Sequence, residues 1–159
     1  MNLANIIKQI VSALEASCAN YVARIEVACD SYNVLEKINC ADGQDIIIVN
    51  IGNEQNDNDC PQACVVEETF EIYVARGYGL AEANDAEIYS VSESRSALYQ
   101  LRDRVRDAVR AIKFENEQNF LYEPQLRYVG AENFETPYNL RAAVFKLNFN
   151  LTGTIPEIK

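Results

Sequence analysis

The sequence predicts an α+β domain in which a mixed, mainly antiparallel sheet carries two amphipathic helices packed on one face. Two segments repeat apolar residues at helical spacing, and several others alternate apolar and polar residues as strands do. The predicted strands follow one another mostly without an intervening helix, which argues against a doubly wound parallel sheet. The whole chain, 1–159, is predicted to form a single domain.

The two helices are predicted at 3–17 and 92–113. Ser90 and Glu93 have capping-box spacing at the start of the second helix. Both segments have an apolar stripe that a sheet must cover, because aliphatic residues recur every three or four positions. The two stripes consist of Leu3, Ile6, Ile7, Ile10, Val11 and Leu14, and of Leu98, Leu101, Val105, Ala108, Val109 and Ile112.

Four or five segments are predicted as strands, since the first of them alternates only in part. Pro124 interrupts one segment, which indicates an edge strand or a bulge. The polar residues 52–63 are predicted to form a flexible loop, 77–90 a second loop, and 152–159 a frayed tail. The predicted strands are 21–29, 45–51, 64–76, 120–129 and 140–151.

The charge of the chain is strongly negative. Asp and Glu number 24 against 14 Lys and Arg, which gives a formal net charge of −10. Affinity for nucleic acid comes chiefly from contacts between cations and phosphates, so a protein that grips DNA is not expected. An acidic surface past which DNA slides without sticking remains compatible with this composition.

The residues that usually carry chemistry are few. The chain contains no His, which removes the side chain best suited to proton transfer near neutral pH. Cys60 and Cys64 form a C-x3-C pair, but a zinc site needs four ligands, so loop thiols are the favoured interpretation. Gly77 and Gly79 lack the remainder of a nucleotide-binding motif and indicate a turn. We therefore predict no enzyme, no cofactor and no metal.

The N-terminus lacks the pattern of a signal peptide, because Lys8 and Glu15 interrupt its apolar run. No segment approaches the roughly 20 consecutive apolar residues that span a membrane. The sequence therefore predicts a soluble protein, made in a cytoplasm and without a membrane partner.

Two surfaces are candidates for contact between subunits. The first is the charged face of the helix 92–113, and the second is the acidic face of the strand 64–76. Arg is favoured at interfaces because its planar guanidinium pairs well with carboxylates. A solvated helix face is the alternative interpretation of the first surface. The candidate contact residues are Arg102, Arg106, Arg110, Glu67, Glu71 and Tyr73.

The layout of these elements resembles that of the tail terminator (tail-completion) proteins of long-tailed bacteriophages. The likeness covers most of the chain and is one of layout, without a diagnostic motif. The polar segment 52–63 is a departure from it. The matching features are the helix 3–17, the paired strands 45–51 and 64–76, the helix 92–113 and the strand 140–151.

The resemblance implies a structural protein of the virion, assembled in the host cytoplasm. Such proteins form a ring, usually a hexamer, on top of the tail tube. The ring stops growth of the tube protein and joins the tail to the head-completion or connector protein, while DNA passes through its lumen. The alternatives are another neck or tail component, such as a head–tail connector or a tube protein, and a small cytoplasmic enzyme or ligand-binding module.

Overall fold

The computed structural model describes residues 3–40, 44–57, 63–77, 93–114, 125–134 and 142–156. Three α-helices and five β-strands lie in these ranges, with a short 3-10 helix at Ala19–Tyr21 after the first α-helix. In chain order they are α1 (Leu3–Cys18), β1 (Arg24–Ala28), α2 (Ser31–Asn39), β2 (Asp45–Asp57), β3 (Ala63–Gly77), α3 (Glu93–Arg110), β4 (Gln125–Asn133) and β5 (Ala142–Pro156).

The strands form a five-stranded sheet in the order β1-β2-β3-β5-β4. β1 pairs with β2 in parallel, and the other three pairs are antiparallel. The parallel pair is possible because α2 crosses from the end of β1 to the start of β2. The predicted fold class, a mixed and mainly antiparallel sheet in an α+β protein, is confirmed.

The larger hydrophobic core lies between the sheet and the two longest helices. Ile10 and Leu14 of α1 and Val105 of α3 are completely buried against Phe145 and other apolar residues of the central strands. The two predicted amphipathic helices therefore do share one face of the sheet. No helix of the described residues has the length and apolar character needed to cross a bilayer.

The opposite face of the sheet carries α2, which the sequence pattern did not predict. Val34 and Ile38 of this helix pack against Ile46 and Ile48 of β2 in a second, smaller core. The helix has only 9 residues, so its apolar pattern extends over too few turns to be distinguished from neighbouring segments. Its clearest signal is Asp30, which caps the helix by accepting a 2.7 Å hydrogen bond from the backbone N–H of Asn33.

Two strands are longer than predicted, which corrects the expected loop 52–63 and the expected frayed tail 152–159. Residues 52–57 belong to β2, and residues 152–156 belong to β5. Both extensions pair with the first half of β3, whose backbone N–H and C=O groups form hydrogen bonds with them. The polar composition of the two segments does not predict this pairing. Residues 58–62 and 157–159 lie outside the described ranges.

Of the strand predicted at 120–129, the described residues 125–129 belong to β4, which continues to Asn133. β4 is an edge strand of the described sheet and has a bulge between Tyr128 and Gly130. Pro124, which indicated an edge or a bulge, lies outside the described residues, as does most of the predicted loop 77–90.

Candidate functional site

The face of the sheet that carries α2 changes from apolar to polar along its strands. α2 covers Ile46, Ile48, Ala75 and Val144 near one end. Farther along, the strand alternation and the register place polar side chains side by side on β3, β5 and β4. We call this the polar sheet face; it consists of Glu67, Thr69, Glu71, Asn148, Asn150, Thr152, Lys146, Gln125, Arg127 and Glu132.

A network of charged and polar side chains is centred on Glu71 in this face. Its Oε2 accepts hydrogen bonds of 2.7 Å from the Tyr73 hydroxyl and 3.2 Å from Nδ2 of Asn50. Its Oε1 lies 3.1 Å from Nζ of Lys146, and the same ammonium lies 3.5 Å from Oε1 of Glu132. The network thus connects β2, β3, β5 and β4, and both oxygens of the Glu71 carboxylate have partners within the chain.

The environment stabilises one protonation state of Glu71, of Tyr73 and of Lys146. Burial alone would raise the pKa of Glu71, but hydrogen bonds from Tyr73, Lys146 and Asn50 outweigh it and lower the pKa. Burial, and then the neighbouring Glu71 carboxylate, raises the pKa of Tyr73. Burial opposes the charge of Lys146, yet its bond to Glu71 raises the pKa of the ammonium. At neutral pH the network is a carboxylate, an ammonium and a neutral phenol.

Of the three strand residues predicted to contact another subunit, two are therefore occupied within the chain. Tyr73 is 2% exposed and packs edge-on against Phe134, with ring centroids 5.3 Å apart. Glu71 holds the network together. Glu67 is half-buried and forms no hydrogen bond or ion pair with another described residue, so it is the one available to a partner.

Glu67 lies in an open depression between β3, β5 and β4. Arg127, Asn150 and Thr152 line the same depression, together with Gln125. The register explains the grouping, because Glu67 pairs with Thr152 and Asn150 pairs with Arg127. The depression offers carboxylate, amide, hydroxyl and guanidinium groups at one place and suits a polar protein surface.

The predicted arginine surface lies on the outer side of α3. The guanidinium of Arg102 lies over the rings of Phe145 and Tyr99, 5.0 and 5.3 Å from their centroids, and donates to Asp103. Arg106 lies 3.2 Å from Asp103 and 3.0 Å from Asp107. These contacts neutralise the two aspartates, whose i, i+4 spacing would otherwise be repulsive.

Arg110, at the end of α3, is exposed and has no ion-pair partner in the described part of the chain. The guanidinium of Arg106 retains N–H donors beyond those bound to aspartate, since the group has five. Arg106 and Arg110 therefore offer donors to a partner, whereas Arg102 lies partly against the core. The structure does not bring the arginines near Glu67, because the two surfaces lie on opposite sides of the sheet.

Sequence reasoning missed three members of the network. Asn50 lies within an apolar run, and Glu132 lies beyond the predicted end of its strand. Lys146 could have been found, because the alternation of 140–151 puts it on the polar side together with Asn148 and Asn150. Register alone joins these residues to Glu71, and register depends on strands far apart in the sequence.

A second cleft lies at one end of the helical side and has a volume of about 80 Å³. Tyr21, Asp45, Gln100, Leu101 and Arg104 line it. Small-molecule sites usually enclose roughly 300–1,000 Å³, so this cleft is too small for a typical ligand.

No group of three or more metal-ligating side chains is assembled among the residues that the structure describes. Cys60 and Gly79 lie outside those residues, so the interpretations of the Cys60–Cys64 pair and of the Gly77–Gly79 turn stay predictions.

A scan of protein-family models found no match to the sequence. A search of curated proteins found no significant relative. The fold and the two surfaces define an α+β protein with a polar sheet face on one side and an arginine-bearing helix on the other.

Proposed function

We propose that this chain is a structural virion protein of a long-tailed bacteriophage, a tail terminator. It forms a ring, a hexamer as in the family that it resembles, at the head-proximal end of the tail. There it ends growth of the tail tube and joins the tail to the head-completion or connector protein. The layout of helices and strands supports this proposal, since α1 and α3 lie together on one face of an antiparallel-rich sheet.

The observation that carries the proposal is the presence of two different polar surfaces on opposite sides of one subunit. Arg106 and Arg110 lie on the helical side, and Glu67 lies on the open side of the sheet. A subunit with two different contact surfaces assembles head to tail, and head-to-tail contacts close into rings when the rotation between subunits permits.

The charge of the chain supports a ring through which DNA passes. A net charge of −10 on each subunit gives a hexamer a large negative charge. A surface of negative net charge repels DNA and does not retain it, because phosphates are bound chiefly by cations. The DNA passes through the lumen without specific binding.

Native mass spectrometry with negative-stain imaging of the purified full chain tests this proposal. We expect closed rings of a single stoichiometry, with six subunits. Addition of the rings to a polymerising tail tube protein of the same phage should stop elongation of the tubes. Long filaments of the chain by itself would instead indicate a tube protein, and a monomer at all concentrations would indicate a small ligand-binding module or enzyme.

A further inference from the structure

We propose that the outer face of α3 in one copy binds the polar sheet face of the next copy, with Arg106 and Arg110 against Glu67 and Glu132. This inference rests on the proposed ring, because it identifies the surfaces through which neighbouring subunits meet. It also gives the contact a direction, since each copy uses its helical side towards one neighbour and its open sheet side towards the other.

The charge distribution favours this pairing over contact between two identical surfaces. Two copies with a net charge of −10 repel each other overall. The segment 102–110 is an exception, because it contains four Arg (Arg102, Arg104, Arg106, Arg110) and two Asp (Asp103, Asp107), a net charge of +2. Contact between two α3 faces would put like charges together, whereas contact with an acidic surface of another copy is attractive.

The polar sheet face provides that acidic surface. It carries three carboxylates (Glu67, Glu71, Glu132) and two cations (Arg127, Lys146). Glu71 is neutralised by Lys146 at 3.1 Å, so the carboxylates Glu67 and Glu132 and the cation Arg127 remain, with a net charge of −1. The side chain of Glu132 is 58% exposed, although it also lies 3.5 Å from Lys146.

The positions of the two surfaces explain why such contacts can repeat. They lie on opposite sides of the sheet, so one copy can contact two neighbours at the same time. In a dimer with a two-fold axis, both partners use the same surface. Here one partner uses α3 and the other uses the polar sheet face, so the contact is head to tail. The contact therefore generates a ring or a filament and not a closed dimer.

Charge reversal on each side, followed by mixing, tests the contact. One variant carries Arg106→Glu with Arg110→Glu, and the other carries Glu67→Lys with Glu132→Lys. We expect each variant by itself to assemble at least roughly 100-fold more weakly than the wild type, because like charges then face each other. An equimolar mixture should form rings again, since each variant then meets a surface of opposite charge on its neighbours.

Single charge reversals elsewhere on each side of the sheet control for an unspecific effect of reversed charge. Lys8→Glu reverses an exposed charge on α1, on the same side of the sheet as α3. Glu36→Lys reverses an exposed charge on α2, on the same side as the polar sheet face. Both should form rings as the wild type does, and circular dichroism should show that every variant is folded. If the arginine variant is unfolded, Arg106→Gln with Arg110→Gln replaces it, and if the glutamate variant is unfolded, Glu67→Gln with Glu132→Gln replaces it. The rings of either replacement should dissociate at lower salt than wild-type rings.

The outcomes separate this inference from the proposed function. Rings from the wild type and from both reversal variants would overturn the contact and leave the ring intact. Loss of rings in the arginine variant only would overturn the pairing with the polar sheet face. A monomeric wild type would overturn both the ring and the contact. Loss of rings in each variant by itself, together with recovery of rings in the equimolar mixture, supports the inference.

Discussion

The hydroxyl of Tyr73 donates a 2.7 Å hydrogen bond to the carboxylate of Glu71, two residues earlier on β3. Both side chains lie on the same face of the strand, as alternation requires. The bond joins the polar sheet face to the smaller core beneath α2, because the Tyr73 ring is buried there. The polar surface of this protein is thus anchored in its core.

Replacement of Glu71 should weaken the fold markedly. In Glu71→Gln the side chain keeps its size, but Lys146 loses its closest carboxylate and Tyr73 loses a charged acceptor. Hydrogen bonds to charged groups contribute about 1.5–3 kcal/mol each, so we expect a loss of roughly 2 kcal/mol or more at neutral pH. Urea unfolding measures this loss, and Glu67→Gln on the same face should change stability by less than about 0.5 kcal/mol.

The acid stability of the protein should depend on the same residue. The pKa of Glu71 is lower in the folded chain than its ordinary value of 4.5. Its contribution is therefore complete above pH 4.5 and is lost as the pH falls through the lower, folded pKa. As the pH falls from 4.5 to the folded pKa of Glu71, the free energy of unfolding should decrease more steeply in the wild type than in Glu71→Gln. Parallel curves for the two proteins would contradict the assignment.

Tyr73→Phe should remove the hydroxyl and preserve the ring contact with Phe134. We expect a loss of about 1–2 kcal/mol, since the carboxylate loses one donor. The effect should be less than additive with that of Glu71→Gln, because both substitutions act on the same hydrogen bond, one by removing its donor and the other by removing the charge of its acceptor. A double-mutant cycle measured by urea unfolding would reveal this coupling, and full additivity would show that the bond contributes nothing.

Gly52 should not tolerate a side chain. It lies at the bulge of β2, where a Cβ atom would collide with Oγ1 of Thr69 and lie 3.2 Å from the Thr69 carbonyl oxygen. Gly52→Ala should cost about 1–3 kcal/mol, as overpacking usually does. Gly130→Ala is a matched control at the bulge of β4, because a Cβ atom added to Gly130 would have no neighbour within 4 Å. Thermal unfolding of both variants tests the contrast, and equal effects would contradict it.

Asp30→Ala should destabilise α2. The substitution removes the acceptor for the backbone N–H of Asn33, and loss of such a cap costs about 1 kcal/mol. Asn39→Ala, at the exposed last residue of the same helix, should have little effect. Hydrogen exchange should become faster in α2 and remain unchanged in α1, and uniform acceleration would argue against a local role for the cap.

The two long helices and the central strands could be predicted because their signals are local. The aliphatic stripe of 3–17 and the alternation of 64–76 depend only on spacing along the chain. The sequence also determined the acidity of the chain and the absence of His. Both long helices were placed correctly on one face, because two apolar stripes need a common surface to cover.

Tertiary structure decided what local spacing does not encode. Polar residues 52–57 and 152–156 became strand because both segments pair with β3. α2 formed where a cap and two apolar side chains met the uncovered side of β2. Asn50, Glu71, Lys146 and Glu132 meet only through register, which is set by pairing between strands distant in the sequence. Local pattern thus determines which face a residue occupies, and strand pairing decides which residues become its neighbours.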